Sequence, residues 1–411
     1  MSSCRLFLHI DCRAVPQAWQ CIAASCKMRL LVLAGLYLGS APAQAHVKWF
    51  ADWSVVICPP RDPMQVLSMP LWQAFFAAAI VAMALLGWLD ARLAGSAHRW
   101  QQRLDRVHEA VMPHALRVLR LGLSLYWLIV SLTLSTPVYL TPELSAPAGV
   151  RWLQLACAVL VLRRASSWLA GLGMVALYIM AAVQHGWFHL LDYPLFLGLG
   201  VILLLPVLRR REDTALSLDL LRWSAAITLL WGGVEKFAFP EWSFGMLQSM
   251  PVLSLGVSPE AAMYMYGFGE LALSFALLLF GVGSQIAAFV LLLVFVLAVP
   301  PFGWVDFVGH SGIVVSLVLL SLTKPRLPVL RGTALRNGLL HGGTFPAAVM
   351  GLWGLYVSLH AVYLQSLRPD PWAETQARAE RAIVRITQSG RQAINQIATL
   401  PAEAPLNRPG L

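Results

Sequence analysis

Ten long apolar stretches separated by short polar turns leave this chain essentially one class of fold. They lie near 70–89, 118–138, 148–162, 168–184, 193–208, 219–239, 263–281, 285–300, 307–323 and 345–364. Stretches of this kind match the roughly 30 Å of hydrocarbon in a bilayer. Backbone amides in lipid must be satisfied within their own segment, which makes runs of this length helices. The expected fold is therefore all-α, a polytopic membrane helix bundle of about ten transmembrane helices. Composition agrees: 58% of the 411 residues are hydrophobic, 12% are charged, and mean hydropathy is +0.67. A soluble globule carries about 25% charged residues. The span at 148–162 is the shortest, since Arg151 leaves few uncharged residues before Arg163. The run at 263–300 would overshoot a bilayer as one helix and is expected to break at "GVGSQ".

The net charge of +10 does not point to nucleic acid, because the arginines stand in short clusters between apolar runs. Residues from Met28 onward, "MRLLVLAGLYLGSAPAQA", have a basic start, an apolar run and small residues at Ala43 and Ala45. This is the layout of a secretory signal with its A-x-A cleavage site. It implies that Met28 is the start, that residues 1–45 are upstream read-through plus signal peptide, and that His46 is the mature N-terminus outside the cytoplasm. Alternating spans then place Arg92, Arg99, Arg103, Arg106, Arg117, Arg163, Arg164, Arg209–Arg211, Lys324, Arg326, Arg331 and Arg336 inside. That asymmetry follows the positive-inside rule. Both chain ends are expected on the outer side. A mature His46 would offer an amine and an imidazole, a pair able to chelate copper if His185 or His189 approached. Cys58 and Cys157 would remain, with no disulfide between them.

Within the bundle, "LRLGLSLYWLIV" (119–130) is similar to "LRWSAAITLLWGGV" (221–234), and "HGWFHLLDYPLFLG" (185–198) parallels "PFGWVDFVGHSG" (301–312). The expected layout is an outer N-terminal segment at 46–69, then a leading helix with a basic loop at 70–117. Two tandem four-helix units follow, at 118–208 and 218–323. A last helix at 345–364 and a tail at 365–411 close the chain. In the tail, Ile383, Ile386, Ile394 and Ile397 recur at helical spacing among arginines, the pattern of an amphipathic helix on a membrane or partner.

Ionisable side chains in a bilayer are costly unless paired or hydrated, which makes them functional candidates. The second unit holds Glu235 and Lys236 in "WGGVEKFAFPEW", Glu270 in "YGFGELALSF", and Asp306 and His310 in "GWVDFVGHSG". Their positions along the spans would let all five meet in one outward-facing pocket suited to proton transfer or to anion and quinone-headgroup binding. The corresponding first-unit positions, near Leu134, Gln154 and Phe196, are apolar or neutral, and only Asp192 is kept. His185 and His189 stand four apart, as metal or haem ligands can, while a lone His360 reads as a packing residue. The glycines of "GFG" and "GVG" read as close-packing sites between helices.

The block 222–323 resembles the DoxX-like family of bacterial four-helix membrane proteins. The residues that carry this are "GGVEKF" closing one helix, a proline-containing outward loop, "GFGEL" in the next helix, and His310. The family takes its name from a small subunit of a thiosulfate:quinone oxidoreductase. The resemblance implies a multi-pass protein of the bacterial inner membrane in a quinone-linked redox system, with Lys236 and Glu270 at the family's lysine and glutamate positions. The sequence holds no flavin, haem or iron–sulfur motif, so electrons would come from a redox partner subunit. Two other readings fit the same residues: a small-solute transporter or permease, and a membrane assembly or scaffold factor.

Overall fold

The computed structural model describes residues 59–94, 99–326 and 333–367. Met28, His46, Cys58, the signal segment and the tail from 368 onward lie outside these described residues. Thirteen α-helices are described: α1 (Pro63–Ser68), α2 (Pro70–Ala94), α3 (Arg99–Val111), α4 (Ala115–Thr133), α5 (Val150–Leu160), α6 (Ser167–His185), α7 (Pro194–Leu208), α8 (Thr214–Ala238), α9 (Pro240–Ser249), α10 (Pro259–Leu279), α11 (Val282–Phe302), α12 (Trp304–Leu322) and α13 (Ala334–Ser366). Short 3₁₀ turns occupy His189–Asp192 and Pro251–Ser254, and one isolated bridge pairs Val138 with Ser145.

Each of the ten apolar stretches is a helix (α2, α4 to α8, α10 to α13). Seven of these, α2, α4, α6, α10, α11, α12 and α13, are long and apolar enough to cross a membrane. The stretch 148–162 gives only the 11 residues of α5, because the chain turns before the pair Arg163 and Arg164. Helix α7 has 15 residues. Helix α8 has 25 residues but carries Asp219, Arg222, Glu235 and Lys236.

The expected break in the 263–300 run falls between Leu279 and Val282. A carboxylate from another helix builds it: Asp90 of α2 accepts the backbone N–H of Gly281 (2.9 Å) and of Gly283 (2.6 Å). First-turn amides have no partner inside their own helix and favour negative charge.

Helices α8, α10, α11 and α12 form a ring in which each touches the next. Helices α4 to α7 form an arc that closes on this ring, α7 packing on α8 and α4 on α12. Outside both, α2 and α13 pair along their length, in the most extensive pairing among the described helices. Small residues make that pairing close: a Cβ added to Gly338 would stand 2.9 Å from the Ala84 carbonyl, and one added to Gly87 would stand 2.7 Å from the His341 ring. Against the α2–α13 pair lies a second core rich in aromatic rings, where Trp72 packs on Phe268 at 5.3 Å and on Trp353 at 5.9 Å.

The arginine-rich end of the bundle is laced with ion pairs. Arg120 and Arg164 both reach Glu212, at 2.7 and 3.2 Å. Arg326 bridges Asp213 and Asp219, and Lys324 pairs with Asp105. The Lys324 backbone N–H also donates to His108 Nδ1 at 3.1 Å, tying α3 to the end of α12.

Candidate functional site

Helices α8 and α10 cross where each carries a glycine. A Cβ on Gly233 would lie 2.8 Å from the Leu271 side chain, and one on Gly267 would lie 2.6 Å from the Phe237 ring. Lys236 stands three residues past Gly233, and Glu270 three residues past Gly267. In antiparallel helices those steps lead away from each other, but side chains on a helix lean toward its N-terminus. Lys236 therefore leans back down α8 while Glu270 leans back along α10, and the two meet. Lys236 Nζ donates to the Glu270 carboxylate and to the Gly232 carbonyl, the latter at 3.2 Å. A Cβ added at Gly232, the first glycine of "GGVEK", would stand 3.6 Å from the Glu270 carboxylate, an ordinary contact, so the crossing itself needs only Gly233 and Gly267. The Lys236 and Glu270 side chains stay 19% and 21% accessible, whereas neighbours such as Phe237 and Leu271 are sealed.

Glu235 is next to Lys236 in sequence but about 100° round the helix, and it faces the last helix. Its carboxylate accepts the Tyr356 hydroxyl of α13 at 3.2 Å. The Tyr356 ring also packs on Trp231 and Phe188, at 4.8 and 5.2 Å.

Asp306 and His310 form a third couple on α12. His310 Nδ1 lies 2.8 Å from Asp306 Oδ1, one turn apart. Asp306 sits in the first turn of its helix, where the peptide dipoles favour a carboxylate. The His310 ring rests on Phe295 of α11 at 4.9 Å. Glu143, from the loop between α4 and α5, acts electrostatically on His310 and accepts the Tyr193 hydroxyl. The five expected residues thus lie in the same half of the bundle, sorted into three couples. Lys236 with Glu270 and Asp306 with His310 join expected residues, while Glu235 takes a partner from outside the set.

The polar side chains between α4 and α6 do different work. Gln154 donates to the carbonyls of Val138 (2.6 Å) and Tyr139 (3.1 Å), and Arg151 donates to those of Leu134 (2.9 Å) and Ser135 (3.1 Å). Both side chains hold the α4–α5 loop in shape. His185 contacts the Ser145 carbonyl at 2.9 Å, which ties α6 to that loop. His360 packs on Phe188 at 4.9 Å, as expected of a packing residue. Among the described residues there is no cluster of three or more His, Cys, Asp or Glu side chains able to hold a metal ion.

Tyr356, Glu143 and Tyr193 escaped the sequence reading. Nothing in "TPELSAP" marks Glu143 as the acceptor of the Tyr193 hydroxyl, and the partner of Glu235 lies 121 residues away. The closeness of α8 and α13 was the missing information.

Comparison with known families decides the resemblance. Residues 217–310 match the DoxX family model. The DoxX segment runs from the second turn of α8 to His310 and contains Glu235, Lys236, Glu270 and Asp306, while 118–208 lies outside it. No curated protein and no solved structure matches the chain.

Proposed function

We propose that this DoxX-like membrane protein is the membrane subunit of a quinone-linked redox system and that Lys236, Glu270 and His310 handle the headgroup and its protons. The observation that carries this is the state of Lys236. An ammonium has three protons to donate. Two go to Gly232 and Glu270, which leaves one for a quinone carbonyl in a partly accessible, otherwise apolar setting.

Reducing a quinone to a quinol takes two electrons and two protons. A redox partner subunit supplies the electrons. Glu270, when protonated, passes a proton to the reduced oxygen and is reprotonated afterwards, and the Asp306–His310 couple supplies the second. The site lies toward the end of the bundle opposite the arginine clusters, which the positive-inside rule assigns to the outer face. In this reading the protein is a multi-pass component of the bacterial inner membrane with both chain ends periplasmic.

The test is a titration of the detergent-purified full chain with duroquinone, alongside quinone analysis of its extracted lipid. Saturable binding that weakens about tenfold, or 1.4 kcal/mol, in Lys236→Met and persists in Gln154→Leu is expected. Equal binding by wild type and Lys236→Met overturns the reading. Solute accumulation by proteoliposomes without any quinone binding would favour a transporter.

A further inference from the structure

Between Glu241, which pairs with Arg61 at 3.1 Å, and Glu260 the chain runs eighteen residues without a charge, "WSFGMLQSMPVLSLGVSP", and this whole stretch lies between α8 and α10 at the end opposite the arginine clusters. Its inner side is built into the protein. Trp242, Met246 and Leu247 of α9 are buried, and the Leu253 carbonyl accepts the Tyr266 hydroxyl. Tyr266 stands one turn from Glu270 on the same helix, so Leu253 is fastened on the side of α10 that leads to the Lys236–Glu270 pair.

The other side of the connection is apolar and uncovered. Val252 is 73% exposed, Leu255 68% and Val257 48%. Leu255 is also held in the left-handed region at φ 51°, followed by Gly256 at φ 81°. A leucine seldom adopts that conformation, and here the turn it makes carries the side chain outward. In water, such a turn exposes three large apolar side chains with no charged residue among them.

We infer that the segment 250–257 is immersed in the outer leaflet of the bilayer. Its occupant is lipid acyl chain: the segment has neither cation nor anion for another surface to read, and it joins the ends of two helices in the bundle. It forms a lateral lid over Lys236 and Glu270, so that a ligand reaches the pair from the membrane and not from the aqueous phase. This last step rests on the quinone reading above and names its substrate class more closely: a membrane-dissolved, long-tailed quinone.

The test places single nitroxide labels at Val252→Cys or Leu255→Cys in the full chain, with the six native cysteines replaced by serine, reconstituted in phosphatidylcholine vesicles. Accessibility to oxygen is compared with accessibility to a water-soluble nickel chelate. Labels at Leu297→Cys, an exposed position five residues before the end of α11, and at Glu241→Cys give the lipid and water references. Both lid labels are expected to behave like the label at 297. Behaviour like the label at 241 overturns the inference, and so does protection from both reagents, which would mean the patch is covered by protein. In a second arm, the Val252→Lys/Leu255→Lys variant is expected to weaken binding of a long-tailed quinone about tenfold and leave duroquinone binding unchanged. Equal weakening for both quinones overturns the lateral route. If wild type binds neither quinone while the labels sit in lipid, the quinone reading fails and the immersion stands.

Discussion

Replacing Lys236 and Glu270 separately and together distinguishes a structural ion pair from a working one. Lys236→Met removes an ammonium that donates to the Glu270 carboxylate and to Gly232. It leaves a carboxylate about one-fifth accessible with that cation gone. Stranding one member of a buried pair costs about 3 to 5 kcal/mol, and the residual accessibility puts this site at the lower end. About 3 kcal/mol lowers the folding equilibrium constant by roughly 150-fold. Glu270→Leu should cost a similar amount by stranding the ammonium. The double variant Lys236→Met/Glu270→Leu strands neither charge and keeps the volume, so its stability should return to within about 1 kcal/mol of wild type. Thermal unfolding in detergent measures stability, and quinone binding by the same preparations measures function. Additive losses in the double variant would refute the coupling. A double variant that is stable and still binds quinone as wild type does would refute the functional role.

Other outcomes follow from the helix contacts and the titrating groups. Gly267→Ala drives a Cβ to 2.6 Å from Phe237 and should destabilise by about 1 to 3 kcal/mol, while Gly269→Ala, with nothing within 4 Å, should be neutral or slightly stabilising in the same melt. Asp90→Ala strips the start of α11 of its acceptor for two amides and should cost about 0.5 to 2 kcal/mol, with Asp90→Asn losing less. Burial holds the His108 imidazole below its usual value, with Arg222 adding to the effect and Glu109 opposing it. The folded chain therefore binds this proton less readily than the unfolded chain. Stability should fall as pH drops from about 6.5 through the folded value, and a His108→Gln chain should lose that slope. The Leu216 N–H, then Arg326 and Arg211, hold the Asp213 carboxyl below the ordinary carboxylate range. Its contribution is present above about pH 3.9 and lost as pH falls through the lower folded value, so Asp213→Asn should flatten the acid limb of the stability curve.

The sequence makes the helices legible because hydrocarbon thickness sets their length, so even the break at "GVGSQ" can be placed to within a residue or two. The Lys236–Glu270 contact was readable for a related reason: counting residues along each span puts both charges at a similar depth. What could not be read depends on which helices are neighbours. The partner of Glu235 lies on α13, and the Tyr193 hydroxyl is held by Glu143 from the loop between α4 and α5. The helix α3 escaped because it is polar on most sides, and its anchors, Asp105 and His108, reach Lys324 more than 200 residues away. Periodicity carries no information about such pairings.

The pairing of α2 with α13 has a consequence for how the protein is made. The first described transmembrane helix to leave the ribosome packs most extensively against the last, and in the finished molecule only 11% of its apolar window is buried. Until α13 is synthesised, Gly87 and Ala84 face lipid where His341 and Gly338 will later sit. For the earlier part of that interval the carboxylate of Asp90 also waits for the amides of Gly281 and Gly283. A nascent chain in this interval holds an acidic group near the membrane boundary and a groove of small residues open to whatever helix passes. Truncation before α13 would leave the groove of small residues permanently uncovered and expose the early helix to quality-control proteases. Supplying α13 as a separate peptide in the same cell should rescue the truncated chain.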